Sequence, residues 1–302
     1  MNKFLTNLKY GWSLFKIPMF ILLIMCAIVS VVLAYNVSEQ YNLWYFNYLS
    51  THTLAETQAA AIFSIKAARL DFWSIFLFYM SFFIAPIYGY YLSQDEENEM
   101  NGILIMHTSK NSLLFSRIVV LLCSSLILSL IGGLILIFLF YSVNGVFIGI
   151  YPDIFVVFPI VFIFSLLGAL VGVSFKKKHW AIVVAIFLVL ILFLVHNVAH
   201  SMGDNYMSAF MGKHTSSLNL GEYRAHYPLL WKTLIFVSPQ ALIEILNPVF
   251  GFESWNSYST SSISLLGFWG DVVLMLLWII LLFAALYLIF SYRHRNVLEV
   301  MR

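Results

Sequence analysis

Residues 73–92 read WSIFLFYMSFFIAPIYGYYL, residues 93–116 read SQDEENEMNGILIMHTSKNSLLFS, and Arg117 follows; this stretch decides the fold. The first part carries no Asp, Glu, Lys or Arg and is long enough to cross about 30 Å of hydrocarbon as a helix. It runs directly into Gln94-Asp95-Glu96-Glu97-Asn98-Glu99, four acids in five residues. An apolar run, Gly102-Ile103-Leu104-Ile105-Met106, comes next, and Lys110 leads on to Arg117, which opens another charge-poor span. Span, short charged connection, span: this is the pattern of a multi-pass helical membrane protein, because a helix satisfies its own backbone where no water can.

The rest of the chain repeats the pattern. Of 302 residues, 62% are hydrophobic and only 10% charged, against about 25% charged in soluble domains. Mean hydropathy is +0.90. Six windows reach spanning length, near 17–35, 73–92, 117–142, 152–174, 180–200 and 269–291. The expected fold is an all-α integral membrane protein, one transmembrane domain over 1–302 with no soluble domain and no sequence repeat. The first window is long enough to span and reads as a retained helix rather than a cleaved signal. Pro18 and Pro152 are expected in first turns, where a missing N–H costs nothing. Pro86 and Pro159 fall inside spans and should kink them. Cys26 and Cys123 both fall in spans and read as small apolar residues rather than a disulfide.

Orientation follows from Lys and Arg. With the N-terminus inside, Lys3, Lys9, Lys16, Lys110, Arg117, Lys176, Lys177, Lys178, Arg293, Arg295 and Arg302 are cytoplasmic. Only Lys66, Arg69, Lys213, Arg224 and Lys232 fall outside. Both termini are therefore expected in the cytoplasm, with Lys176-Lys177-Lys178 in a short inner loop that anchors topology or meets anionic lipid. Two outer segments are long, 36–72 and 201–268. The first includes an Ala-rich helical stretch, Leu54 to Leu70; the second includes Ser238-Pro239 through Pro248, a short helix capped by Ser238. Leu242, Ile243, Ile245 and Leu246 make that helix apolar, too short to span, and suited to a re-entrant position in the outer leaflet. Ahead of span one, Phe4, Leu8, Trp12 and Phe15 share a helical face, which suits an interfacial helix. Asn36-Val37-Ser38 is an outward glycosylation sequon.

These features, in this order, resemble the permease subunits of type-2 ATP-binding-cassette exporters. The match covers nearly the whole chain: an N-terminal elbow helix, six spans, an acidic-then-Gly loop after span two, and a Ser-Pro helix before span six. Glu99 and Gly102 match the family loop, Leu104, Ile105 and Met106 stand for its Leu-rich run, and Arg117 matches the basic entry to span three. Ile103 stands where the family usually has Thr, and Ser109 where Pro is common. The resemblance implies a cytoplasmic coupling helix near 97–108, with Glu96, Glu97, Glu99, Gly102, Ile103, Ile105, Met106 and Arg117 meeting a separate ATPase. It implies an outer re-entrant helix formed by Pro239, Leu242, Ile243, Leu246 and Pro248. Two copies of the ATPase, a second permease (identical or not) and membrane lipid are the implied partners; nucleic acid is not. The chain would hold no cofactor and catalyse nothing, with ATP and magnesium on the partner, in a bacterial cytoplasmic membrane.

The residues themselves agree with borrowed energy. No G-x-x-x-x-G-K-[ST] loop is present to cradle phosphates. No H-E-x-x-H or G-x-S-x-G occurs, and mid-span charges of the kind proton-coupled carriers use are lacking. His196, His200 and Asp204 stand at i, i+4 and i+8, a weak metal candidate with His214 or His226 as further ligands. Interfacial histidines bonded to loop backbone are the plainer reading. The outer aromatics Trp44, Tyr45, Phe46, Tyr48, Phe72 and Trp73 suit an interfacial belt or a greasy exit surface. Substrate identity leans toward an amphipathic peptide or lipid-like molecule. Two other classes stay open: an ATP-independent carrier or channel, and a non-transporting immunity or scaffold protein.

Overall fold

Every apolar window forms a helix longer than the window itself. The computed structural model describes residues 3–97, 110–149, 151–175, 177–213, 224–245 and 265–300. Among them α1 is Lys3–Leu49, α2 Leu54–Glu97, α3 Lys110–Asn144, α4 Tyr151–Ser174 and α5 Lys178–Lys213. A short α6, Leu229–Phe236, and a 3-10 segment, Pro239–Ile245, precede α7, Gly267–Val300. No strand occurs among the described residues. Six of the helices are long and apolar enough to cross a membrane.

The outer segment 36–72 is not the separate element expected. It is the continuation of α1 and α2, which rise as a hairpin past the apolar windows. At 47 residues α1 is about 70 Å long, more than twice the hydrocarbon thickness. The hairpin turns at residues 50–53 for local reasons. The His52 ring stacks on Tyr48 at 3.9 Å. Thr53 and Glu56 then form a capping box: the Thr53 N–H donates to Glu56 Oε2 (2.9 Å) and the Glu56 N–H to Thr53 Oγ1 (3.4 Å). A cap of this kind contributes about 1 kcal/mol and fixes the start of α2. At the far end of α3, Gly145 takes φ +66° and its N–H donates to the Tyr141 carbonyl (2.8 Å), which ends that helix.

Continuity also changes two earlier expectations. Pro18 lies inside α1, not in a first turn, because the amphipathic N-terminal turns and span one form one helix. Ser38 is fully buried and its hydroxyl donates to the Ala34 carbonyl (2.6 Å), so the sequon is part of a packed helix rather than an exposed loop. Pro86 and Pro159 do lie inside α2 and α4, and Pro152 is the second residue of α4.

Helix α4 is the hub. Its apolar window is 72% buried, against 17% for those of α5 and α7. It packs on α2, α3, α5, α7 and the 3-10 segment, while α1 lies mainly against α3 and α2. Small residues bring α2 and α4 into backbone contact. Ala85 and Gly89 on α2 face Gly168 and Gly172 on α4, each pair four residues apart, a small-xxx-small crossing. A Cβ at Gly172 would stand 2.5 Å from the Gly89 carbonyl oxygen. One at Gly89 would touch the Ala181 and Gly168 carbonyls at 3.4 Å, so α5 joins the same seam. Deeper in, hydroxyls bridge helices: Tyr88 with Ser124, and Ser125 with Ser165 (2.9 Å). Such bridges average about 0.6 kcal/mol each in lipid. Cys26 is buried and donates to the Leu128 carbonyl (3.5 Å), whereas Cys123 is exposed; both thiols are free.

Alternation of the helices sets one topology test. In a Cys-free background, Lys177→Cys and Ser217→Cys should label from opposite faces of the membrane. Labelling of both by the same impermeant reagent, added outside, would overturn the orientation drawn from Lys and Arg.

Candidate functional site

The stretch Gln94 to Arg117 runs from the last turn of α2 across residues 98–109 into α3, and the structure describes both flanks of that connection. Glu96 and Glu97 are the last two residues of α2. Glu99, Gly102, Ile103, Ile105 and Met106 lie outside the described residues, as does the centre of the expected coupling helix. Arg117 is described, and it is not at the entry of α3 but in its third turn, 1% exposed. Its guanidinium donates to the Asn7 carbonyl (3.1 Å) and lies 5.3 Å from the Tyr10 ring centre, so α1 supplies an acceptor and a π face to a cation that the bundle buries.

Tyr91 grips the same turn of α1 from the other side of the loop. Its hydroxyl donates to the Gly11 carbonyl (3.1 Å). Phe15 stacks on Tyr88 at 5.2 Å and tilts against Tyr91 at 4.8 Å. Gly11 is small for a reason: a Cβ there would be 3.2 Å from the Tyr91 hydroxyl and closer still to Arg117 Nη1. Asn7 also donates to Ser112 Oγ (3.4 Å). Both flanks of the charged loop therefore clasp the first turns of α1. The face read as interfacial, with Phe15 fully buried and Leu8 packed on the core, turns partly inward to meet them. Trp12 remains exposed.

Two further contacts close the end of the bundle that carries this loop. Arg293 of α7 donates to the Val173 carbonyl at the C-terminus of α4, where the helix dipole favours a cation. Ser93 donates to the Phe175 carbonyl (3.1 Å). Lys177 and Lys178 are exposed in the connection to α5, with the Lys178 amine 6.0 Å from the Tyr90 ring centre.

At the outer end the Ser-Pro motif is a 3-10 segment, not an α-helix. Ser238 Oγ accepts from the Gln240 N–H (3.3 Å), and the Ala241 N–H bonds to the Ser238 carbonyl (3.1 Å), the tighter i+3 pattern. Ala241, Leu242 and Ile245 are buried and Ile243 is partly so, packed toward α7, α4 and α5. Leu246 and Pro248 lie outside the described residues. The preceding α6 went unread in the sequence; Leu229 to Phe236 is a mostly apolar octet after Pro228, interrupted by Lys232 and Thr233 and hidden in a segment that begins polar.

His196, His200 and Asp204 share the outer extension of α5. The two rings are edge-on at 4.8 Å, and His200 Nδ1 is 3.9 Å from Asp204 Oδ2. His196 bonds to the Ile235 backbone, and His226 stacks on Phe210 at 5.1 Å. Among the described residues no three His, Cys, Asp or Glu side chains converge as metal ligands would. His214 lies outside them.

Sequence reasoning missed one polar cluster altogether. Asp153, fully buried at the start of α4, accepts from Arg69 through both oxygens (Nε 3.2 Å) and from Trp73 Nε1 (2.8 Å). The available signal was an Asp within a turn of a span start, opposite an Arg just before another span.

The fold and these contacts define a polytopic helical protein clamped at both ends. No family model matches the chain, and no curated protein matches it.

Proposed function

We infer that the chain is the membrane permease subunit of an ATP-driven exporter, working as a pair of permeases with two copies of a separate cytoplasmic ATPase. One observation carries the reading: an acidic cluster ends α2 at the connection to α3, and Tyr91 and Arg117 on its two flanks both hold the first turns of α1. Force applied to that loop has a stiff route into α1 and, through α2, into α4. A loop that merely joined two spans would need no such clasp. Acids near the N-terminus of a helix at 97–108 would favour its dipole, and Ile103, Ile105 and Met106 would fill a groove on the ATPase. The exposed apolar faces of α5 (Ile186, Phe187, Leu194) and α7 (Val273, Ile280, Leu288) need covering by lipid and by the second permease. The 3-10 segment, with Leu242 and Ile245 buried, would act as a re-entrant seal over the outer exit. An amphipathic peptide or lipid-like molecule is the substrate class, in keeping with spans that lack mid-membrane charge.

The test is co-purification with a cytoplasmic ATP-binding-cassette ATPase from the same cell. Glu99→Lys with Gly102→Pro should reduce recovery of that ATPase to background while membrane insertion is retained. The first change reverses charge at the helix start, and the second breaks the helix. Undiminished recovery from the double variant would remove the proposal.

A further inference from the structure

Helix α1 shows two unlike faces in its first turns. Asn7, Gly11 and Phe15 are buried on the side that Tyr91 and Arg117 clasp. Lys9, Trp12, Ser13 and Lys16, at i, i+3, i+4 and i+7, make the opposite face, and all four are exposed. Against α3 this exposed face forms a cleft of ≈ 380 Å³, with Leu8, Val119, Val120 and Cys123 as its apolar lining. That volume is within the usual size of small-ligand sites.

The polar part of the lining offers donors. Lys9 and Lys16 stand about 10 Å apart along the helix axis and bracket the Trp12 indole N–H. Ser13 already donates its hydroxyl to the Tyr10 carbonyl (2.7 Å). No Asp or Glu lines the cleft, and among the described residues neither lysine has an ion pair. An occupant therefore needs an anionic head rich in acceptors. It also needs an apolar tail, because the rest of the lining is apolar and the surface stays so beyond it. Phe20, one turn past Lys16, and Leu126, one turn past Cys123, are both exposed. A zwitterionic headgroup would bring a cation with no carboxylate to meet, and a small soluble anion would leave the apolar walls uncovered.

We propose that this cleft is a site for an anionic phospholipid in the leaflet on the side of the α1 N-terminus. Its phosphate sits between Lys9 and Lys16, whose flexible stems let both ammonium groups reach one head, with the Trp12 N–H as a further donor. Its acyl chains run past Leu8 and Cys123 toward Phe20 and Leu126. The lipid holds α1 from the side opposite the clasp of Tyr91 and Arg117. The site needs no ATPase, so it stands or falls separately from the exporter reading.

The test is native mass spectrometry of the full chain in dodecyl maltoside, titrated with dioleoyl phosphatidylglycerol or, for comparison, dioleoyl phosphatidylcholine. A saturable phosphatidylglycerol adduct, formed at lower lipid concentration than any phosphatidylcholine adduct, is expected. Lys9→Gln with Lys16→Gln should weaken its half-saturation about thirtyfold, the worth of two lysines beside an anionic surface. Both side chains are exposed and without an ion pair, so the fold should be unaffected. Lys9→Arg with Lys16→Arg should retain binding, and so should Lys177→Gln with Lys178→Gln, which removes an equal charge elsewhere. Cys123→Trp, which fills the cleft from an exposed position of α3, should weaken binding with both lysines in place. Glycerol 3-phosphate, a head without chains, should not displace the lipid. Equal retention of the two lipids, or undiminished binding in the Lys9 and Lys16 glutamine variant, overturns the assignment. An equal loss in the Lys177 and Lys178 variant would reduce it to unspecific charge, and displacement by glycerol 3-phosphate would make the cleft a site for soluble phosphate; either result refutes the lipid site.

Discussion

Gly168→Leu should leave little folded protein in the membrane. A Cβ at position 168 would lie 2.8 Å from the Ala85 Cα and nearer still to the Ala85 carbonyl oxygen, and both are backbone atoms that no rotamer change can move. Helices α2 and α4 would have to part, and theirs is among the most extensive contacts in the bundle. Overpacking of this kind costs about 3 kcal/mol or more, a large share of the stability of most folds. Gly168→Ala already places the offending atom, so even alanine should lower the melting temperature in detergent. Gly149 has nothing within 4 Å of its would-be Cβ, and Gly149→Ala provides the matched control with no expected change. A monodisperse Gly168→Leu protein that melts like the parent would refute the close crossing. Gly89 stands about two turns before the acid cluster, so the same crossing packs α2 closely on α4 near that cluster.

Much of this was legible in the sequence, and some of the rest was there to be read. Spans announce themselves through unbroken apolar runs, since lipid tolerates nothing else, and all six windows became helices. Their ends were less clear because hydropathy reports where a helix must be greasy, not where it stops. Thr53-x-x-Glu56 carried a start signal for α2, and Asn144-Gly145 a stop signal for α3. The spacing Ala85–Gly89 and Gly168–Gly172 marks two faces that can touch, although no single sequence says that they touch each other. Arg117 was read as an entry residue because it opens the apolar run and matches the basic entry to span three in the family it resembles. Its burial depends on the Asn7 carbonyl and Tyr10, which lie more than 100 positions earlier in the chain. The 3-10 form of Pro239–Ile245 likewise follows from packing against α7 and α4, which local propensity does not encode.

Arg69→Met should be the most damaging single change at the outer end, and its rescue is the sharper half of the prediction. In the parent, Asp153 is fully buried, with Arg69 on both oxygens and Trp73 on one. Loss of the guanidinium would strand a carboxylate that Trp73 alone cannot compensate, and removal of one partner from a buried pair costs about 3–5 kcal/mol. Protonation of Asp153 would offset part of that cost, so the single variant should regain stability more steeply than the parent as pH falls. Arg69→Met with Asp153→Asn removes both charges, keeps an acceptor for Trp73 Nε1 and should recover most of the loss. Thermal unfolding in detergent, run on the parent and both variants at two pH values, measures all of this. If the double variant is no better than Arg69→Met, the damage comes from lost packing of the Arg69 stem, and the charge argument fails. If instead it recovers, the pair acts mainly by matching one buried charge to another. That would fix the register of α2 against α4 at the outer end, as Gly168 and Gly172 fix it further along the same two helices. A pair of helices pinned at two separated levels moves as one body. The loosely packed α5 and α7 are then the elements left to move against it.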